Sequence, residues 1–233
     1  MWIATYPSIA SVTDGAFSLE LQLDEPGTYR YVVLADGAPA PTVVHVTAGT
    51  GGAGSAASVA GSGVVATANT VVSVTVGTGV LTASTSYDVW VFASDDEAIP
   101  NAQLQPVSVD VSTTADVTAP TFASGFPTSQ TVLDFSFEVS VKLSEPGTVS
   151  YVVLPNGATS PTPSQVIAGT DGSGTAAVAT GSIEVASTAS AVQDTVTTGL
   201  SAATNYDVWF VAQDDESPTP NVQSGSVNKG DPF

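Results

Sequence analysis

The chain has no cysteine. Disulfides and thiolate-held metals are therefore excluded. It has one histidine, His45, and only 3 Lys plus Arg against 22 Asp plus Glu, a formal charge of −19. Neutralising phosphates takes Lys and Arg, so nucleic acid is not an expected partner. Anionic membrane surfaces meet the same objection. No apolar run approaches the roughly 18 residues of a membrane span, so no membrane insertion is expected. The start "MWIATYP" (1–7) lacks the basic and apolar regions of a signal peptide. Met1 reads as an added start residue at a domain edge, and the chain as a fragment of something longer.

What is present is apolar and rich in turns. Hydrophobic residues make up 42% and charged residues 11%, too apolar a balance for a disordered chain. Gly, Ser, Thr, Val and Ala dominate, and the strong helix formers Lys, Arg and Met are nearly absent. That favours β-structure.

The chain is one unit written twice. "DEPGTYRYVVLADGA" (24–38) returns as "SEPGTVSYVVLPNGA" (144–158), "VTAGTGGAGSAA" (46–57) as "VIAGTDGSGTAA" (166–177), and "STSYDVWVFASDDE" (84–97) as "ATNYDVWFVAQDDE" (203–216). "WIATYP" (2–7) matches "FASGFP" (122–127). A period near 120 is a domain duplication, since solenoid repeats run roughly 20–50 residues. Pro120 punctuates "STTADVTAP" (112–120), which places the domains at 1–115 and 116–233.

Within each copy the apolar residues alternate. "FSLELQL" (17–23), "FSFEVSVKL" (135–143), "YDVWVFA", "YDVWFVA" and "QPVSVDVST" (105–113) have period 2. About seven short strands with Gly/Pro turns predict an all-β chain of two antiparallel Greek-key sandwiches. Thr162-Pro163-Ser164-Gln165 has the form of a capping box with proline at the first helical position, so one helical turn is expected there. The first copy reads "TVVH" at those positions and carries the signal weakly.

Two stretches, "LTASTSYDVWVFASD" (81–95) and "LSAATNYDVWFVAQD" (200–214), resemble fibronectin type III domains. In that family a leucine is followed six residues on by a tyrosine that opens a strand, here Leu81 with Tyr87 and Leu200 with Tyr206. The resemblance implies a tyrosine corner, with the ring in the core and the hydroxyl bonded back to the backbone upstream. The layout "EPGTxxYVVL…AGT…GS…Y" also resembles a variant found in repetitive surface proteins of bacteria and algae. Two features depart from ordinary members: a long Gly/Ala-rich stretch before the corner, and Phe17 or Phe135 in place of the usual tryptophan of the second strand. The resemblance implies an extracellular or cell-surface location.

The strands ending in "DDE" put Tyr87, Val89, Val91 and Ala93, and Tyr206, Val208, Phe210 and Ala212, on the core side. Asp95, Asp96, Glu97 and Asp214, Asp215, Glu216 then enter the loop to the last strand. If the family layout holds, the turns carrying Glu25 and Glu145 lie at the same pole, where each domain's chain enters, and the linker adds Asp116. Like charges about 4 Å apart repel by roughly 1 kcal/mol in bulk water. A hard cation removes that cost, and Ca²⁺ takes 6–8 oxygens. Each pole is therefore a candidate calcium site: Asp214, Asp215, Glu216, Glu145, Asp116 and Asn221 would bind the ion that stiffens the joint between domains, and Asp95, Asp96, Glu97 and Glu25 are the first copy's counterpart. The other reading is a solvated turn, where Asp, Pro and Asn are favoured anyway.

No enzyme is expected. His45 is replaced by Gln165 in the second copy, no G-x-S-x-G elbow occurs, and no pair of titrating groups with separate roles is visible. Trp90 and Trp209 alternate with the inward residues and point outward, where they could contact a glycan or a surface protein. The bland reading is that the Gly/Ala-rich segment, or cross-strand neighbours such as Val32 and Val152, cover them. "GTGGAGS" (49–55) and "GTDGSGT" (169–175) lack the ending of a phosphate loop and read as flexible loops. The functional expectation is a structural or adhesive repeat, working beside neighbouring repeats of its parent chain. A binding module is the alternative.

Overall fold

The structure is a computed structural model that describes residues 1–98, 100–217 and 219–230. It divides into two compact units, Met1–Asp116 and Val117–Phe233. Each is an antiparallel sandwich of seven described strands.

In the first unit the strands are β1 (Ser8–Ala10), β2 (Phe17–Leu21), β3 (Gly27–Ala35), β4 (Val59–Val65), β5 (Val72–Val76), β6 (Ser86–Asp95) and β7 (Val107–Ser112). One sheet runs β1-β2-β5 and the other β4-β3-β6-β7. In the second unit β8 (Thr128–Leu133) to β14 (Val227–Asn228) repeat the pattern. Its three-stranded sheet runs β12 (Val192–Val196), β9 (Ser136–Val141), β8. Its four-stranded sheet runs β11 (Ala179–Val185), β10 (Gly147–Pro155), β13 (Tyr206–Asp214), β14.

Alternation decides which face is inside. Phe17, Leu19 and Leu21 on β2 meet Tyr87, Val89 and Val91 of the other sheet in one core cluster, and all eight residues expected on the inward face of β6 and β13 lie in such clusters. Fully buried side chains such as Phe17, Phe137 and Phe210 each contribute about 1.5–3 kcal/mol by leaving water.

The segment "YVVL" breaks the alternation, and the structure explains it. The chain between β3 and β4 carries a short helix, α1 (Val43–Ala48), and α2 (Pro163–Ala168) is its counterpart. Each helix lies over the outer face of its four-stranded sheet, where Val46 packs with Val32, Leu34 and Phe92, and Val166 with Val152, Leu154 and Val211. With both faces covered, that strand reads as a continuous apolar run, as strands buried on both sides do.

The helical turn expected at Thr162–Gln165 is present, and the weakly signalled first copy has one too. In α2, Gln165 Oε1 accepts from the Thr162 N–H at 2.9 Å, with Pro163 in the first turn. In α1 the ring Nδ1 of His45 accepts from the Thr42 N–H at 3.2 Å. Both helices end on a glycine in the left-handed region, Gly49 and Gly169.

Two expectations need correcting. Phe135 is not the counterpart of Phe17. Phe137 holds that place, because it faces Val196 on β12 as Phe17 faces Val76 on β5. Leu133 pairs with Ser136, so Asp134 and Phe135 form the tight turn between them and Phe135 is 60% exposed. The glycine-rich loops are hydrogen-bonded turns rather than loose loops. Gly51 N–H donates to Ser55 O at 2.9 Å and Asp171 N–H to Thr175 O at 2.8 Å. In the second copy Asp171 Oδ1 also accepts from Ser173 and Thr175, which holds its carboxyl below the usual carboxylate range.

Candidate functional site

The two "DDE" loops lie at the pole where each unit's chain enters. Asp95 faces Gly27 across the sheet and Asp214 faces Gly147, so each loop adjoins its "EPG" turn. Glycine is required there. A Cβ on Gly27 would strike the Ser94 carbonyl, and one on Gly147 the Gln213 carbonyl. Trp2 bridges to Leu23 and Phe122 to Leu143 at the same poles.

The acids do not act alike. Asp95 and Asp214 are buried, at 9% and 4% exposure. Each turns back into its own loop. Asp214 Oδ1 accepts from the Asn221 N–H at 2.7 Å and the Glu216 N–H at 3.2 Å, and Oδ2 accepts from Asn221 Nδ2 at 2.7 Å. Asp95 makes the same set with Asn101, at 2.8 Å to its N–H and 2.9 Å to its side chain, and with the Glu97 N–H at 3.4 Å. The Asn101 side chain first, and then its backbone N–H, hold the Asp95 carboxyl below the ordinary range. The second loop has one more residue between aspartate and asparagine, yet the staple is unchanged. An Asp that accepts from its own loop is the usual means of closing such a turn.

Beside each staple a glutamine supports the same strand. Gln103 Oε1 accepts from Ala93 N–H and from Trp2 Nε1, both at 3.0 Å. Gln223 Oε1 accepts from Ala212 N–H at 2.9 Å. Neither glutamine was singled out in the sequence, though "PNAQ" and "PNVQ" close both loops and carried the signal.

The remaining acids stay outside. Asp96, Glu97, Asp215 and Glu25 are exposed, and Glu216 and Glu145 are half-buried. Asp116 is half-buried and is the last residue of the first unit. Among the described residues no group of three or more His, Cys, Asp or Glu converges as a metal-holding set.

Trp90 and Trp209 do point away from the sandwich core, but each is half-buried against the small cluster under its helix. Each stands directly across from the valine named as a cross-strand neighbour, Trp90 from Val32 and Trp209 from Val152. Their indole N–H groups are buried and have no hydrogen-bond partner among the described residues. A groove of about 390 Å³ runs beside Trp90, with Pro41, Pro106 and Leu104 on its walls. At the matching place in the second copy, Ser226 Oγ donates to the Pro161 carbonyl at 2.6 Å.

The tyrosine corners implied by the family resemblance are formed. Tyr87 Oη accepts from the Thr82 N–H and Tyr206 Oη from the Ser201 N–H, each at 3.0 Å. His45 is a helix cap, in the role that Gln165 fills in the second copy. No described helix is long and apolar enough to cross a membrane.

No family model matches the chain, and no curated protein matches it. Solved structures similar to it include the two-domain fibronectin type III segment of chicken tenascin. That match has 12% identity and a TM-score of 0.35, and covers 95% of this chain and 97% of that one. A second is a candidate carbohydrate binding protein from Bacteroides uniformis, at 9% identity and a TM-score of 0.28, covering 97% of this chain and 93% of that one.

Proposed function

We propose that the chain is a non-catalytic structural repeat module of an extracellular or cell-surface protein, acting as a spacer or fibre unit. One observation carries this reading: three sets of polar side chains kept in both copies serve the fold itself. The two aspartate–asparagine staples close loops, the two tyrosines pin corners, and the His45/Gln165 position caps a helix. A catalytic site needs titrating groups free to meet a substrate, and these are committed to backbone partners. The test is a panel of hydrolase and transferase substrates together with mechanical unfolding of the chain. Two resolved unfolding events and no turnover support a spacer. Turnover that survives repurification and falls with a point substitution overturns it.

A second reading, a binding module, rests on the unpartnered Trp90 Nε1–H beside its groove. Buried polar groups normally have partners, and a glycan hydroxyl or a peptide carbonyl would supply one. Saturable binding on a glycan or peptide array, lost in Trp90→Phe with the fold intact, would establish it. An empty array would remove it.

A further inference from the structure

From Gly37 to Tyr87 the first unit contains no Asp, Glu, Lys or Arg, although the whole chain carries −19. Two strands of that span are sheet edges. Among the described residues β4 is bonded only to β3, and β5 only to β2. β4 pairs with β3 over seven residues without a register shift, and no described strand lies beside its other backbone edge. Ala60, Ser62 and Val64 project outward from it, with Val64 62% exposed.

The second copy treats the same flank differently. Glu184 faces Thr148 as Val64 faces Thr28, so a carboxylate stands in place of the exposed valine. Asp194 stands in place of Val74, on the inward side of β12, and accepts from Tyr151 Oη at 2.7 Å. Outward and inward charges on edge strands are a common way to block pairing between sheets. On this flank the second unit has both, and the first has neither. Arg30, one of three Lys and Arg residues in the chain, lies directly across from Ser62 and is exposed. The β4 edge therefore carries no carboxylate of its own.

We propose that β4 of the first unit pairs antiparallel with β4 of a second copy of this chain, joining two four-stranded sheets across a two-fold axis. Two copies repel wherever their carboxylates face each other, and this edge is where they do not. Main-chain hydrogen bonds supply the attraction and Val64 the apolar contact. A two-fold contact uses the same patch on both copies, so no further complementary surface is required. The pairing gives the proposed spacer a partner and rests on that reading only for its biological use.

Sedimentation velocity on the whole chain over a wide concentration range tests it. The expected result is a monomer–dimer equilibrium that tightens with added NaCl, because salt screens the remaining like-charge repulsion. Amide exchange across Val59–Val65 should slow as concentration rises. Val64→Glu, which installs the second copy's residue at an exposed position, should raise the dimer dissociation constant at least about tenfold with the thermal midpoint unchanged. Val64→Lys separates edge pairing from general charge repulsion. It lowers the net negative charge, so simple colloidal association would strengthen, whereas edge pairing weakens. A chain that stays monomeric at every concentration and salt level, or a dimer that both variants leave intact, overturns the proposal. Either result leaves the spacer reading to its own turnover and unfolding tests.

Discussion

The ring of Tyr29 lies over Gly63, directly across the β3–β4 pair, and fills the space that a side chain there would occupy. In the second unit the same two places hold Val149 and Ile183. A large residue on one strand with none on its partner has become two of middle size. Close-packed cores conserve volume in this way. Gly63→Ile alone should overpack the first unit and cost about 1–3 kcal/mol. Tyr29→Val alone should leave a cavity and cost about as much or more. The double variant should recover most of the loss. Calorimetry that resolves the two units checks the cycle, and simple additivity would show that the pair is not coupled.

The Asp214–Asn221 staple gives a second expectation. Asp214→Ala should cost about 1–3 kcal/mol, because three N–H donors of the loop lose this acceptor, and Asn221→Ala about 0.5–1.5 kcal/mol, because the side-chain bond to Oδ2 is lost while the backbone N–H bond remains. Together they should cost little more than one alone. Asp215→Ala, on an exposed side chain one residue away, should stay within about 0.5 kcal/mol. Urea unfolding of the three variants separates a staple from a generic acidic turn.

Acid should loosen the loops that Asp95 and Asp171 close. The Asp95 and Asp171 carboxyls are held below their ordinary value by hydrogen bonds. A lowered folded pKa contributes stability that is complete above the unfolded value of about 3.9 and is lost as pH falls through the folded one. Thermal midpoints should therefore hold down to about pH 4 and fall below it. Asp95→Asn should flatten part of that decline.

Alkali should act through Tyr151. Burial first, and the bond to the Asp194 carboxylate second, push its phenol well above the usual tyrosine value. A raised folded pKa contributes stability that is present below the unfolded value of about 10 and is lost as pH rises through the folded one. Ultraviolet titration should find a phenol that ionises only as the second unit unfolds. Tyr151→Phe should remove that late step and leave Asp194 Oδ2 without the phenol donor, while Oδ1 still accepts from the Thr195 N–H.

His45 is a cap, so His45→Gln should be nearly neutral, matching the residue that serves α2. His45→Ala should cost about 0.5–1 kcal/mol in the first unit. A hydrolase screen should read the same for all three proteins.

The calcium expectation is decided by the thermal midpoint in EDTA and across calcium and magnesium titrations. Asp95 and Asp214 already accept two or three hydrogen bonds each inside their loops. The rise should therefore be small and equal for the two ions, as screening of a −19 chain requires. A calcium-specific rise that Asp96→Asn and Glu97→Gln abolish would assign a site to the outer acids.

The sequence by itself determined the duplication, the antiparallel sandwiches and the inward faces of β6 and β13. The strands and their faces follow from a period of two that the backbone imposes on every side chain. The capped turn at Thr162 was legible as a short-range pattern of a few residues, and the tyrosine corners were what the family resemblance implied. Only the tertiary structure decided where Asp95, Asp214 and the two tryptophans are held. Asp95 became a staple because Asn101 lies six positions on and folds back, and nothing in "DDE" announces that partner. Trp90 and Trp209 are half-buried because the chain between two paired strands loops over the sheet and lays a helix beside them. The open edge of β4 likewise depends on which strands end up as neighbours. Partners distant in sequence are chosen by packing, and packing is visible only when the whole unit is assembled.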